Sequence, residues 1–198
     1  MSTKPIILIL AAAAAYYAFR RLTRPGCPRQ IVALGDSITA GNYIRYLGDL
    51  LPGCTVGYSG YVGKGAKYIS GKVRDATRSK PDDVIILAGV NDLASGRSLS
   101  HIQDNLERTY ANAKAEGARV VAVEVLPWRS YAGHGKNASR TDSLNAWIRS
   151  ESSADVVVST RAMGRDGSLP PELSGDGLHP NADGKKRLAE IIYQEVYK

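Results

Sequence analysis

Five short apolar runs rich in β-branched residues punctuate this chain, and what separates them constrains the fold more than any other feature. The runs are Gln30–Leu34, Thr55–Tyr58, Asp83–Leu87, Arg119–Val125 and Asp155–Ser159. Each has the length and composition of a buried strand. Between them apolar residues recur at helical spacing. Ile44, Leu47 and Leu51 share one face, as do Ile102, Leu106, Tyr110 and Ala113, and again Leu188, Ile191, Ile192 and Val196. Gly117 is placed to end one helix, Thr141 or Asp142 to open another, and Asn181 to cap the last. Strands alternating with helices predict an α/β fold with a parallel sheet covered on both faces. Right-handed crossovers leave few topologies for it. At 198 residues the chain predicts one domain with a sizeable core. Thr160–Asn181 is the one long irregular piece, and a loop of that length in a compact domain is usually functional or disordered.

Open α/β sheets bind ligands beyond the carboxyl ends of their strands, so the residues that follow each run matter most. These are Gly35-Asp36-Ser37, Ser59-Gly60, Gly89-Val90-Asn91-Asp92, Pro127-Trp128, and the long loop containing Asp176-Gly177-Leu178-His179-Pro180. A serine hydroxyl is a weak nucleophile until a base adjoins it. Of the three histidines, His101 reads as a surface residue of a helix start and His134 as a solvent-facing residue of a glycine-rich loop. His179 differs, because Asp176 precedes it by three residues in a glycine-containing turn. That spacing lets a carboxylate fix the imidazole tautomer and stabilise the imidazolium. Asp36 adjoins Ser37 too closely to serve as that acid and reads as a support of the turn. Asn91 can offer its side-chain amide to an oxyanion, and Ser37 and Gly60 their backbone N–H groups. Taken singly, each block also has a plain reading: a polar turn before a helix for Asp176–Pro180, and local capping for Gly89–Asp92. A Gly-x-Ser-x-Gly elbow fails at Thr39, a phosphate loop fails around Gly63-Lys64-Gly65, and no Cys/His cluster has metal-ligand spacing.

Four blocks in order, Gly35–Thr39 (GDSIT), Ser59-Gly60, Gly89–Asp92 (GVND) and Asp176–Pro180 (DGLHP), make residues 31–198 resemble the SGNH, or GDSL-type, hydrolases. The resemblance implies a three-layer α/β/α fold, flavodoxin-like in strand order, and ester hydrolysis without a cofactor. It implies Ser37 as nucleophile, His179 as base and Asp176 as its orienting partner. The implied oxyanion donors are Ser37, Gly60 and Asn91, with Gly57, Gly63 and Gly65 close to the second of them. The expected substrate is a carboxylic ester of a small molecule, glycan or lipid. Trp128, Arg129 and Tyr131 read equally as pocket lining and as surface packing. A non-catalytic, membrane-tethered binding protein on the same fold is the alternative.

The N-terminal flank is read apart from the 30–198 domain. Residues 5–19 carry no charge, and Arg20, Arg21 and Arg24 follow. As a helix they reach about 22 Å, short of a hydrocarbon core of about 30 Å unless Lys4 and Arg20 snorkel. A short membrane anchor, a cleaved signal peptide and a buried helix are the three readings. Tyr16 and Tyr17 beside the arginines favour the anchor, and the charge asymmetry points the globular part to the cytoplasmic side; cleavage would make it secreted or periplasmic. Of the net charge of +7, residues 1–30 supply +5 (Lys4, Arg20, Arg21, Arg24, Arg29, no acid), leaving +2 for the body. The high pI therefore does not describe a nucleic-acid-binding surface, and no nucleic-acid motif occurs. Cys27 precedes the first strand and Cys54 the second. If those strands are parallel neighbours, a disulfide between them is geometrically possible, and two free thiols are the other reading.

Overall fold

Parallel hydrogen bonding among the five apolar runs sets the architecture of the computed structural model, which describes residues 29–131 and 137–198. The strands are β1 (Gln30–Gly35), β2 (Thr55–Gly60), β3 (Asp83–Leu87), β4 (Arg119–Val123) and β5 (Val156–Val158), in the order β2-β1-β3-β4-β5. Every pairing is parallel. This is the flavodoxin-like order, with its reversal at β1 and β3. The helices are α1 (Ser37–Ala40), α2 (Ile44–Leu50), α3 (Ala66–Ser70), α4 (Val73–Ala76), α5 (Val90–Ala94), α6 (Leu99–Ala115), α7 (Ala138–Ser150) and α8 (Ala182–Val196), with a 3-10 turn at Arg161–Met163. The chain runs outward from β1 to β2 and then back across β1 to β3. Right-handed crossovers therefore put α2 and α3 on opposite faces. On one face α2 packs against α8; on the other α3 packs against α6.

The expected helical faces are the buried ones: Ile44, Leu47 and Leu51, then Ile102, Leu106, Tyr110 and Ala113, then Leu188, Ile191 and Ile192, while Val196 is half-buried. Gly117, at φ 89°, ends α6, where Gly117 N–H donates to Lys114 O and Ala118 N–H to Ala113 O. That left-handed position is one that glycine adopts without steric cost. Asn181 caps α8, its side chain accepting from the Asp183 and Gly184 N–H groups.

Some boundaries differ from the sequence reading. Helix α7 begins before Thr141 and Asp142, so neither opens it. Thr141 lies in its second turn, where its hydroxyl donates to Asn137 O and accepts the Trp128 indole N–H at 2.9 Å. β4 stops at Val123 because the backbone of Val125 is bonded on both sides by the Asn145 amide, at 2.9 Å each. Trp128 is a core residue, 2% exposed, and with Arg129 it also lines a small cavity of about 260 Å³ bordered by Thr141 and Asn145. The apolar segment 5–19, Cys27 and His134 lie outside the described residues. Cys54 is disulfide-bonded, and no helix among the described residues is long and apolar enough to cross a membrane.

At the amino edge of the sheet, Asp83 opens β3 fully buried between two arginines. Arg29, just before β1, donates to both its oxygens at 3.0 and 3.2 Å, and Arg119, which opens β4, does so at 2.8 and 3.0 Å. One carboxylate thus joins three adjacent strands. Asp83→Ala should take the shared carboxylate away from both guanidinium groups and cost about 3 kcal/mol or more of stability. Chemical denaturation would measure it, and an unchanged midpoint would contradict this role.

Candidate active site

The chain after β1 turns sharply because Gly35 has no side chain. A β-carbon there would lie 2.2 Å from Leu87 O at the end of β3 and 2.3 Å from Thr39 Oγ1. Asp36 then caps α1: its Oδ1 accepts the Ile38 N–H at 2.9 Å. Ser37 is the first residue of α1, so its own N–H lies outside the helical ladder. The hydroxyl of Ser37 is 3.0 Å from His179 Nε2, across 142 residues of sequence.

His179 is held by the loop that precedes α8. Its Nδ1 is 2.7 Å from Asp176 Oδ2. The other oxygen, Asp176 Oδ1, accepts the backbone N–H of His179 at 2.7 Å and of Leu178 at 2.9 Å. Gly177 makes this turn at φ 81°. Ser174, which the sequence reading missed, sits beneath it. Its hydroxyl accepts the Gly177 N–H at 3.0 Å and lies 3.1 Å from Asp176 Oδ1 and 2.8 Å from His179 O, between which its one proton is shared. The signal was a serine two residues before an aspartate in a glycine-rich turn, a pattern that bonds side chain to backbone.

The turn after β3 is tied to the turn after β2. Asp92 is buried and its Oδ2 accepts the Ala66 N–H at 2.7 Å, while a β-carbon on Gly65 would lie 2.4 Å from Asp92 Oδ1. Its neighbour Asn91 donates one amide hydrogen to Lys64 O at 3.1 Å, leaving a second. Gly63, at φ 71°, Gly65 and Asn91 border one open cleft of about 630 Å³. Gly60 stands elsewhere, at the end of β2 opposite Gly35, where a β-carbon would fall 2.2 Å from Ala40 N. Thr55 N–H donates to Arg29 O, just before β1, and Tyr61 N–H to Gly35 O, so by the two-residue alternation Gly60 N–H points away from β1, toward the outer edge. Tyr131, which the sequence left open between pocket lining and surface packing, has its ring edge-on to His179 at 6.4 Å between centres. His101 borders the cleft from the start of α6.

The two carboxylates beside Ser37 and His179 are driven in opposite directions. Burial lifts Asp36 from 3.8 to about 7, and the charge of Asp92 adds to this. The Ile38 N–H and the proximity of His179 oppose it without cancelling it. Its Oδ2 is buried with no hydrogen-bond partner among the described residues. Partial burial pushes Asp176 up as well, but there the His179 ring, the His179 and Leu178 N–H groups and Ser174 outweigh it. Asp176 is held well below the ordinary carboxylate range. At neutral pH Asp176 is therefore an anion, fit to steady an imidazolium.

The model of the GDSL-like lipase/acylhydrolase family matches residues 33–187. Among solved structures, a GDSL-like lipase from Bacteroides thetaiotaomicron is similar at 23% identity, over 91% of this chain and 95% of that one, with a TM-score of 0.72. The psychrotrophic esterase EstA from Pseudoalteromonas, in a structure inhibited by monoethylphosphonate, aligns at 19% identity over 85% and 96%, with a TM-score of 0.67. The acetyl xylan esterase AlAXEase aligns at 16% identity over 84% and 99%, with a TM-score of 0.68. At these identities the likeness is one of fold. No curated protein matched the sequence.

Burial of Asp36 is measurable through stability. Folded Asp36 keeps its proton to about pH 7, against 3.8 for an ordinary aspartate. Between those values the folded chain binds more protons than the unfolded one, so this group's contribution falls as pH rises through the window. Asp36→Asn keeps the oxygen that caps Ile38 but cannot ionise. Its stability relative to the parent should rise by roughly 2–4 kcal/mol between pH 4 and 8. Denaturation at a series of pH values tests this, and a difference independent of pH would contradict it.

Proposed function

This chain belongs to the GDSL-like lipase/acylhydrolase family of serine ester hydrolases, and from that premise we propose that Ser37, His179 and Asp176 hydrolyse a carboxylic ester through an acyl-enzyme. The observation that carries the reading is the continuous hydrogen-bonded line from Ser37 Oγ through the His179 ring to Asp176. Ser37 Oγ attacks the ester carbonyl while His179 Nε2 takes its proton. The imidazolium forms against an ionised Asp176, and His179 then returns the proton to the leaving alcohol. Water activated by His179 attacks the acyl-enzyme in the second half.

The charge that develops on the carbonyl oxygen needs donors already in place. Two are the Ser37 N–H and the second amide hydrogen of Asn91. For the third we assign Gly63 in place of Gly60. Gly63 borders the same cleft as Asn91 and adjoins Lys64, whose carbonyl holds the Asn91 amide. Gly60 is wedged against Ala40 with its N–H aimed away from β1, and its smallness serves packing. Acetylated glycans and acyl lipids are both within the proposed substrate range. The neighbour AlAXEase acts on acetyl xylan, which supports the first. For residues 5–19 the anchor reading rests on sequence alone: an uncharged stretch with Tyr16 and Tyr17 beside Arg20 and Arg21.

Ser37→Ala should abolish hydrolysis of a short activated ester, and Asn91→Ala should lower kcat by about 10²–10³. A fluorophosphonate probe should label the parent at Ser37 and leave Ser37→Ala unlabelled. Unchanged turnover in Ser37→Ala would overturn the mechanism, and absence of labelling would favour the binding-protein alternative.

A further inference from the structure

The cleft beside Asn91 is unusual in its charge. Lys67, Lys72 and Arg97 line it, with His101 at its rim. The one acid in its wall is Asp92, which is buried and committed to the Ala66 N–H. Lys72 has a nearby counter-ion, Asp75 at 3.4 Å, but Asp75 is shared with Arg78. Lys67 and Arg97 have no acidic partner among the described residues. Arg140 adds to the field from behind, donating to the carbonyls of Leu93 and Arg97. Tyr68 forms part of the floor. Its ring meets Tyr61 edge-on at 5.3 Å, and the ammonium groups of Lys64 and Lys72 lie 5.1 and 5.6 Å from its centre. Lys64 and Lys72 are thus gathered over one aromatic ring, beside Lys67 and Arg97 in the cleft wall. The concentration is local, because residues 31–198 carry only +2 in all.

We propose that this cleft receives a negatively charged group of the substrate, a carboxylate, phosphate or sulfate carried on the acyl or the alcohol portion, so that the enzyme prefers anionic esters. The proposal rests on the ester-hydrolase reading above and names the substrate class for it. Clustered cations at the wall of a cleft focus the field and raise the local concentration of an anion. Each pair at an exposed site is weak, but several act together. The preference should be about tenfold in kcat/KM at low ionic strength and should shrink toward unity in about 0.5 M salt.

The test compares matched esters, each rate scaled to the ester's own hydroxide-catalysed rate. For the acyl side the pair is 4-nitrophenyl hexanoate and the mono-4-nitrophenyl ester of adipic acid. For the alcohol side it is phenyl acetate and 4-acetoxybenzenesulfonate. The parent should favour the charged member of at least one pair, and which pair shows the preference identifies the side that enters the cleft. In Lys67→Glu/Arg97→Glu the preference should vanish or reverse, while the neutral esters keep their rates within about twofold, since neither residue touches the reacting atoms. Neutral hydrolysis that depends on Ser37 with no preference for either anion would overturn this proposal and leave the esterase reading standing. A preference that survives the double charge reversal would overturn it too. Absence of Ser37-dependent turnover on all four esters would overturn the esterase reading and the proposal together.

Discussion

β1 is hydrogen-bonded on both sides, to β2 and to β3, and the groups of the candidate site hang from the ends of these strands or from the loop laid over them. Parallel pairing puts all the carboxyl ends on one edge, and the reversal of strand order at β1 opens a crevice there. Ser37 enters it from β1 and Asn91 from β3, while His179 comes from the loop before α8. Two close approaches hold this edge together. Gly35 lets β1, β3 and Thr39 meet with no side chain between them, and Gly60 lets β2 press against α1. A methyl group at either position would push apart the elements that aim Ser37.

Electrostatics then divides the work between two aspartates. Asp36 lies buried under the turn with one oxygen unpaired among the described residues, so burial dominates and it clings to its proton. Asp176 stands in a half-exposed loop surrounded by donors, so hydrogen bonding dominates and it stays ionised. Adjacency to Ser37 would have favoured Asp36 as the acid of the site. Distance along the chain is a poor guide here, because Asp176 meets the imidazole at 2.7 Å while Asp36 turns one oxygen to the Ile38 N–H.

Periodicity made much of the framework readable. The five strand positions were visible because parallel strands are buried on both faces and so appear as unbroken β-branched runs. The long helices were visible because Ile102, Leu106, Tyr110 and Ala113 repeat over several turns. The short helices α1, α3, α4 and α5 were not, because four or five residues carry no full period. The start of α7 was misplaced because Thr141 and Asp142 have capping chemistry, whereas Asn137 opens the helix without a side-chain cap bond. Trp128 was ambiguous until its indole N–H met Thr141, 13 residues away, and drew the ring into the core.

The sequence by itself determined the class of fold and the family, and it singled out Ser37, Asn91, Asp176 and His179 as candidate site residues. Those follow from local pattern: strand composition, the turn that ends each strand, and the order of four short blocks. Only the tertiary structure decided which glycines border the cleft with Asn91, what Asp36 does with its charge, and where the cations gather. Each of these depends on burial and on contacts between segments far apart in the chain. Four glycines within nine residues, Gly57, Gly60, Gly63 and Gly65, look alike in sequence. They differ in what a β-carbon would strike, and that is a property of their neighbours in space.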